Sequence, residues 1–195
     1  MILQLHKRKM AIAGMLMTVY LVIHMLTNLS FFCEDSFSSF YAWYNGSIVR
    51  WLVLVVMAAA VGIHVKAAVK IRKANAKART VQYTKHDKFH IPAPFVTVSI
   101  IFLLSFILVH VFQTLNFDSE NVYGELQQLF QSEIMVLFYL AGLFVLMMHL
   151  SHSLANVLQT LGKTSVTCHA MVWVAVLLLS GGFASIPLYI YFVMP

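Results

Sequence analysis

The chain has 195 residues, 61% of them apolar or aromatic and only 10% charged, and its mean hydropathy is +0.82. Soluble domains run at about 45–50% apolar and about 25% charged, so the composition argues against a soluble globule, excludes disorder and leaves little polar sequence for a separate catalytic domain. The net charge of +6 comes from 13 Lys+Arg against 7 Asp+Glu; in so apolar a chain it reads as membrane topology rather than nucleic-acid binding.

In chain order, Lys7-Arg8-Lys9 precede an apolar run that imitates a secretory signal, but the run continues to Phe32 and no A-x-A site follows. An uncleaved first transmembrane helix is predicted instead. About 20 apolar residues span the hydrocarbon layer, and five stretches qualify: roughly 11–32, 49–71, 93–116, 134–160 and 170–193. Helices are expected because backbone groups in lipid must be satisfied within each segment. The predicted fold is therefore all-α: one polytopic membrane domain over residues 1–195, with five transmembrane helices in a bundle.

The connections sort by charge. One side carries Lys7, Arg8, Lys9, then Arg72, Lys73, Lys77, Arg79, Lys85 and Lys88 between spans two and three, then Lys163. The other carries Glu34, Asp35, Asp118, Glu120, Glu125 and Glu133, with only Arg50 against them. The positive-inside rule then places the N-terminus in the cytoplasm and the C-terminus outside, as five spans require, and the expected location is the cell inner (cytoplasmic) membrane. The basic 72–90 segment reads as orientation charge that attracts anionic lipid, or as a docking site for an acidic or iron–sulfur partner. Residues 117–133 read as a surface loop or a helix lying on the outer face. Cys33 and Cys168, isolated and apolar in context, read as packing residues.

Nine histidines are many for this composition. His6, His86, His90 and His169 fall in connections or at the interface; His24, His64, His110, His149 and His152 fall within predicted spans. Ionisable groups inside a membrane are expensive and default to functional hypotheses. His24, His64, His110 and His149 each lie about 13–15 residues into their helices, or about 20 Å at about 1.5 Å per residue. Helices one and three run outward, which sets His24 and His110 at one level near the outer side. Helices two and four run inward, which sets His64 and His149 at a second level near the cytoplasm. Two histidines at equal depth can supply both axial nitrogens of a b-type haem, so two such pairs predict a bundle enclosing two haems b. A proton relay usually recruits Asp or Glu within the helices, and these spans are essentially free of carboxylates. His152, one turn beyond His149, is expected on the same face, as a polar partner or a satisfied histidine.

The segments Val22-Ile23-His24-Met25-Leu26-Thr27-Asn28, Gly62-Ile63-His64-Val65, Leu108-Val109-His110-Val111-Phe112-Gln113-Thr114 and Met148-His149-Leu150-Ser151, continuing to Gln159-Thr160-Leu161-Gly162, carry a resemblance over essentially the whole chain. The chain resembles the five-helix, di-haem cytochrome b membrane subunit of succinate dehydrogenase and quinol:fumarate reductase. The resemblance implies that His64 and His149 ligate a cytoplasm-side haem and His24 and His110 an outer haem. It further implies a flavoprotein partner with covalent FAD, an iron–sulfur subunit with three clusters, and membrane quinone, menaquinone or ubiquinone, as substrate. The dicarboxylate reaction would belong to the flavoprotein, and this chain would pass electrons between iron–sulfur subunit and quinone. Some fumarate reductases carry a Glu two residues before the helix-four ligand for a proton path; here that position is Met147, so the path is not carried over.

For a quinone, Asn28 beyond His24 and the outer acids Glu34 and Asp35 are the polar candidates, the acids reading first as solvated charges. Lys66 and Lys70 are expected to snorkel or to pair with a propionate, and Trp43, Tyr44 and Trp51 read as interfacial aromatics. Competing readings are a cytochrome b subunit of another membrane oxidoreductase, a histidine-lined metal or proton transporter without haem, and a structural anchor.

Overall fold

The computed structural model describes residues 2–78, 93–160 and 165–194, and the regular structure among them is helical. Arg79, Lys85, His86, Lys88, His90 and Lys163 of the basic connections lie outside the described residues. Seven α-helices follow in order: α1 (Ile2–Leu29), prolonged by a 3₁₀ turn (Ser30–Phe32), α2 (Glu34–Gly46), α3 (Ile48–Ala78), α4 (Ala93–Asn116), α5 (Val122–Phe130), α6 (Glu133–Thr160) and α7 (Val166–Val193). Of these, α1, α3, α4, α6 and α7 are long and apolar enough to cross a membrane. The surface is correspondingly inside-out: Leu108, Ile134 and Phe192 are 71%, 73% and 72% exposed, while Ser151 is the one polar side chain in the buried set among the described residues. Such a continuous apolar exterior is tolerable only in lipid, and the chain is a multi-pass membrane protein.

Two helices overrun the expected spans. α1 starts at Ile2 rather than near Ala11, and α3 continues to Ala78 rather than to about Ile71. The extra turns hold Lys7, Arg8, Lys9, Arg72, Lys73 and Lys77, all exposed. Lys and Arg are good helix formers whose heads stay in water, so hydropathy marks the buried part of a helix rather than its end.

The long helices form two antiparallel pairs joined by α7. α1 packs along α3, α4 against α6, and α7 lies against both α1 and α6. Small residues make the first contact close: Ala13 on α1 and Ala60 and Ala67 on α3 are buried, and Gly14 faces the His64 ring 3.4 Å from where its Cβ would stand. Close backbone approach over small side chains is how helices associate in lipid. The second pair packs by aromatics. Phe106 of α4 nests on Gly142 of α6, where an added Cβ would lie 2.6 Å from two ring carbons. α1 runs parallel to α7, with Met25 over Gly182 and Phe32 beside Tyr189.

Residues 33–47 hold a helix that sequence reading left as a connection. α2 and α5 close the acidic end over a core of Phe31, Phe37, Val122, Phe130, Ile186 and Ile190. Their acids have a local explanation. Glu34 and Asp35 sit in the first turn of α2, Glu125 in that of α5 and Glu133 in that of α6, where carboxylates complement the helix dipole. The Asn121 side chain accepts the Gly124 amide at 3.2 Å and caps α5.

Two measurements follow. Gly142→Ala should push the buried Phe106 ring off its seat and cost about 1–3 kcal/mol, read as a lower denaturation midpoint in mixed micelles. Cys33 is exposed just beyond α1 and α7 carries Cys168 at the opposite end. With the N-terminus inside, a membrane-impermeant maleimide added to intact cells should label Cys33 and spare Cys168. Ser36 Oγ, 3.3 Å from Cys33 Sγ, holds that thiol below its ordinary range, so labelling at neutral pH should slow in Ser36→Ala.

Candidate functional site

Four helices each bring one histidine to the space between the two helix pairs. The rings of His24 on α1 and His110 on α4 have centroids 6.0 Å apart with planes at 65°. Those of His64 on α3 and His149 on α6 stand 6.2 Å apart at 75°. Among the described residues α1 does not pack along α4, nor α3 along α6, so the imidazoles reach toward each other across the space between those backbones. All four are half-buried although they lie well within their spans. The two levels are distinct: His64 lies beside Met10 and Gly14 of α1, and His24 is ten residues further along that helix, or about 15 Å.

The hydrogen bonds fix which nitrogen is free. His64 Nδ1 lies 3.0 Å from the Met10 carbonyl; a carbonyl only accepts, so Nδ1 carries the proton and Nε2 keeps its lone pair. On the other level, Tyr139 Oη donates to Gln113 Oε1 at 2.7 Å and lies 3.3 Å from His110 Nδ1. With its proton committed to Gln113, Tyr139 accepts from Nδ1–H, and again Nε2 is left as a base. Gln113 is itself held by a contact of its amide nitrogen with Met135 Sδ at 3.4 Å. A backbone carbonyl or hydroxyl that takes Nδ1–H is the usual arrangement behind a histidine that ligates through Nε2. In both cases the partner belongs to the sister helix of the histidine's own pair: α1 for His64, α6 for His110.

His24 is held differently. Tyr20, one turn before it, stacks on its ring at 5.3 Å and 9°, and Phe183 of α7 tilts against it at 5.5 Å. Pro187 lies within α7; lacking an N–H, it frees the Phe183 carbonyl from the helical ladder at the level of His24. Asn28 Nδ2 bonds the His24 carbonyl at 2.7 Å and lies 3.2 Å from its Nδ1, while Tyr41 of α2 donates to Asn28 Oδ1 at 3.3 Å. Burial pushes the Tyr41 hydroxyl up, which keeps it a donor. Among the described residues His149 makes no ring hydrogen bond and faces His64.

The remaining sequence candidates separate from these pairs. His152 is exposed and bonds Asn156 on its own helix at 3.1 Å. Three residues advance a helix by about 300°, so His152 stands about 60° round the helix from the half-buried His149, on its exposed edge. Lys66 and Lys70 are exposed, as are Glu34, Asp35, Trp43 and Trp51. Two surface grooves, 180 Å³ over Phe117, Glu125, Gln128 and Leu129 and 350 Å³ along the Thr167–Leu178 face of α7, are lined by none of the paired histidines. Sequence reading missed Tyr139, Tyr41 and the Met10 carbonyl. Gln113 and Asn28, each one turn or less beyond a histidine, were the local signal; their partners lie on other helices.

Among the described residues no cluster of three or more His, Cys, Asp or Glu could hold a metal by itself. The site offers two imidazole donors per level, so a metal bound there would take its other ligands from outside the His, Cys, Asp and Glu of the described residues. Tyr139→Phe should leave Gln113 Oε1 and His110 Nδ1 unpaired and cost roughly 0.6–1.7 kcal/mol, the range of interhelical bonds in lipid; Gln113→Leu should cost a similar amount, and the double variant less than the sum, measured as a double-mutant cycle. No protein-family model, no curated protein and no solved structure matches the chain.

Proposed function

We propose that the chain is the di-haem membrane anchor and electron-transfer subunit of a succinate:quinone or quinol:fumarate oxidoreductase of the cell inner membrane. The observation that carries this reading is the spacing within the two histidine pairs. With metal–nitrogen bonds of about 2 Å and a ring centroid about 1 Å behind each nitrogen, two imidazoles that shared one metal would have centroids about 6 Å apart. The observed separations are 6.0 and 6.2 Å. Each level offers two donors, the number a porphyrin leaves open at its iron.

His24 and His110 would hold one haem b, and His64 and His149 the other. The haem supplies a one-electron couple when bound. The chain's residues do the rest. Met10 and Tyr139 hold Nδ1–H of His64 and His110, which orients those rings and keeps Nε2 basic. Phe106, stacked on His110, and Phe183 and Tyr20 against His24 line the level of His24 and His110, the upper one, with apolar surface. The levels, about 15 Å apart along α1, would relay electrons between a cytoplasmic iron–sulfur subunit docked at the basic end and quinone in the bilayer. The FAD and the dicarboxylate step would belong to the flavoprotein partner. Asn28 and Tyr41, the polar pair beside His24, are the residues best placed to meet quinone oxygens near the acidic end.

The purified protein should give a reduced-minus-oxidised spectrum of bis-histidine haem b and about two haems per chain by pyridine haemochrome. His24→Ala and His110→Ala should remove one and the same component, and His64→Ala and His149→Ala the other, while His152→Ala keeps both. A preparation without haem, from cells supplied with it, sinks the proposal and leaves a transporter or structural anchor.

A further inference from the structure

The acidic end holds six carboxylates, Glu34, Asp35, Asp118, Glu120, Glu125 and Glu133, and a single cation, Arg50. A lone arginine among so many acids is expected to pair with one of them, and it does not. Among the described residues no carboxylate lies within ion-pairing distance of it. Its guanidinium instead turns toward the end of α4. It reaches the Thr114 carbonyl of α4 at 3.5 Å and stands 5.5 Å from the Trp51 ring, half-buried at the mouth of α3. Thr114 is one turn beyond His110, and its hydroxyl bonds the His110 carbonyl at 3.1 Å. The neighbouring Tyr44 phenol, pushed up by burial, is drawn back down by the Arg50 charge.

Neither local account covers this placement. In the first turn of α3 a cation opposes the helix dipole, which favours anions there. The carbonyl at the end of α4 uses only one of five guanidinium N–H groups. On the proposed topology the residue also stands on the side of the membrane where Lys and Arg are sparse. Among the described residues this half-buried guanidinium has donors to spare, and the carbonyl it reaches is one turn from His110 of the upper pair; such a group is built to meet an anion.

We propose that Arg50 is the counter-ion for a carboxylate of the group held between His24 and His110, a haem propionate, and so raises that haem's affinity for an electron. The assignment rests on the di-haem reading. A fixed positive charge stabilises the reduced, more negative form, and its removal disfavours reduction. Arg50 does not touch the metal; it positions and biases a group that does. The exposed Lys66 and Lys70, on the far half of α3, cannot act on the same level.

The test is a redox titration of the purified complex, reading each haem separately. The upper component is the one lost in His24→Ala. In Arg50→Gln that component should become harder to reduce by about tenfold in equilibrium constant, which is about 59 mV for one electron, while the lower component stays within error. Arg50→Lys should recover most of the shift. Equal shifts in both components mean general loosening of the fold and overturn the assignment, as does no shift in either. A shift seen in anionic vesicles but absent in neutral detergent points to a lipid phosphate rather than a propionate and also overturns it. Wild-type protein with two haems and an unaltered Arg50→Gln titration sinks this assignment alone; wild-type protein without haem sinks the proposed function and takes the assignment with it.

Discussion

An imidazole inside hydrocarbon has two nitrogens to satisfy and no water to satisfy them with. That demand organises this bundle. His64 and His110 each commit Nδ1 to the sister helix of their own pair, through the Met10 carbonyl and the Tyr139 hydroxyl, and each turns the other side of the ring across the gap to a histidine of the opposite pair. The two helix pairs are thus complementary halves. Each half anchors one imidazole through a cross-helix bond and presents its second more loosely, His24 beside Asn28 and His149 opposite His64. Loss of either anchor frees a ring to rotate, and rotation about χ2 is cheap when no partner holds it.

The packing serves that arrangement. The α1–α3 contact is thinned to Ala13, Gly14, Ala60 and Ala67, which is why the His64 ring can come within reach of a backbone carbonyl on α1. The α4–α6 contact is thick with aromatics, and Phe106 both fills the seat at Gly142 and stacks on His110. α7 touches one helix of each pair and holds the halves in register, with Phe183 against His24 on one side and Val176 and Leu179 in the cluster around Leu150 on the other. Over the acidic end, α2, α5 and the 3₁₀ turn after α1 lay a cap of phenylalanines whose most buried members, Phe31 and Phe37, are 1% and 0% exposed. The cap also carries Tyr41 to Asn28, so the same apolar seal places a polar contact next to the upper histidines.

Much of the architecture was legible in local pattern. The five apolar runs, the charge difference between their connections and the depth of each histidine are all one-dimensional properties: hydropathy along a span, and residues counted from its edge at a constant rise. Counting puts His24 level with His110 and His64 level with His149, and the ring contacts follow those levels. Helix ends were read less well, because Lys-rich turns at the rim of α1 and α3 stay helical after hydropathy has fallen. α2 was missed for a related reason: its apolar face is a stripe of Phe37, Tyr41 and Tyr44 in a segment otherwise polar, too short and too mixed to register as a span.

The amino-acid order by itself determined that this is an all-helical chain of five membrane-crossing segments with imidazoles at two depths, because crossing lipid is a demand each segment meets alone. Only the tertiary structure decided which side of each helix faces the gap. Rotation about a helix axis is set by what packs against it, so the proton on His64 Nδ1, the Tyr139–Gln113 bond and the placement of Arg50 depend on backbone carbonyls and side chains contributed by helices remote in sequence.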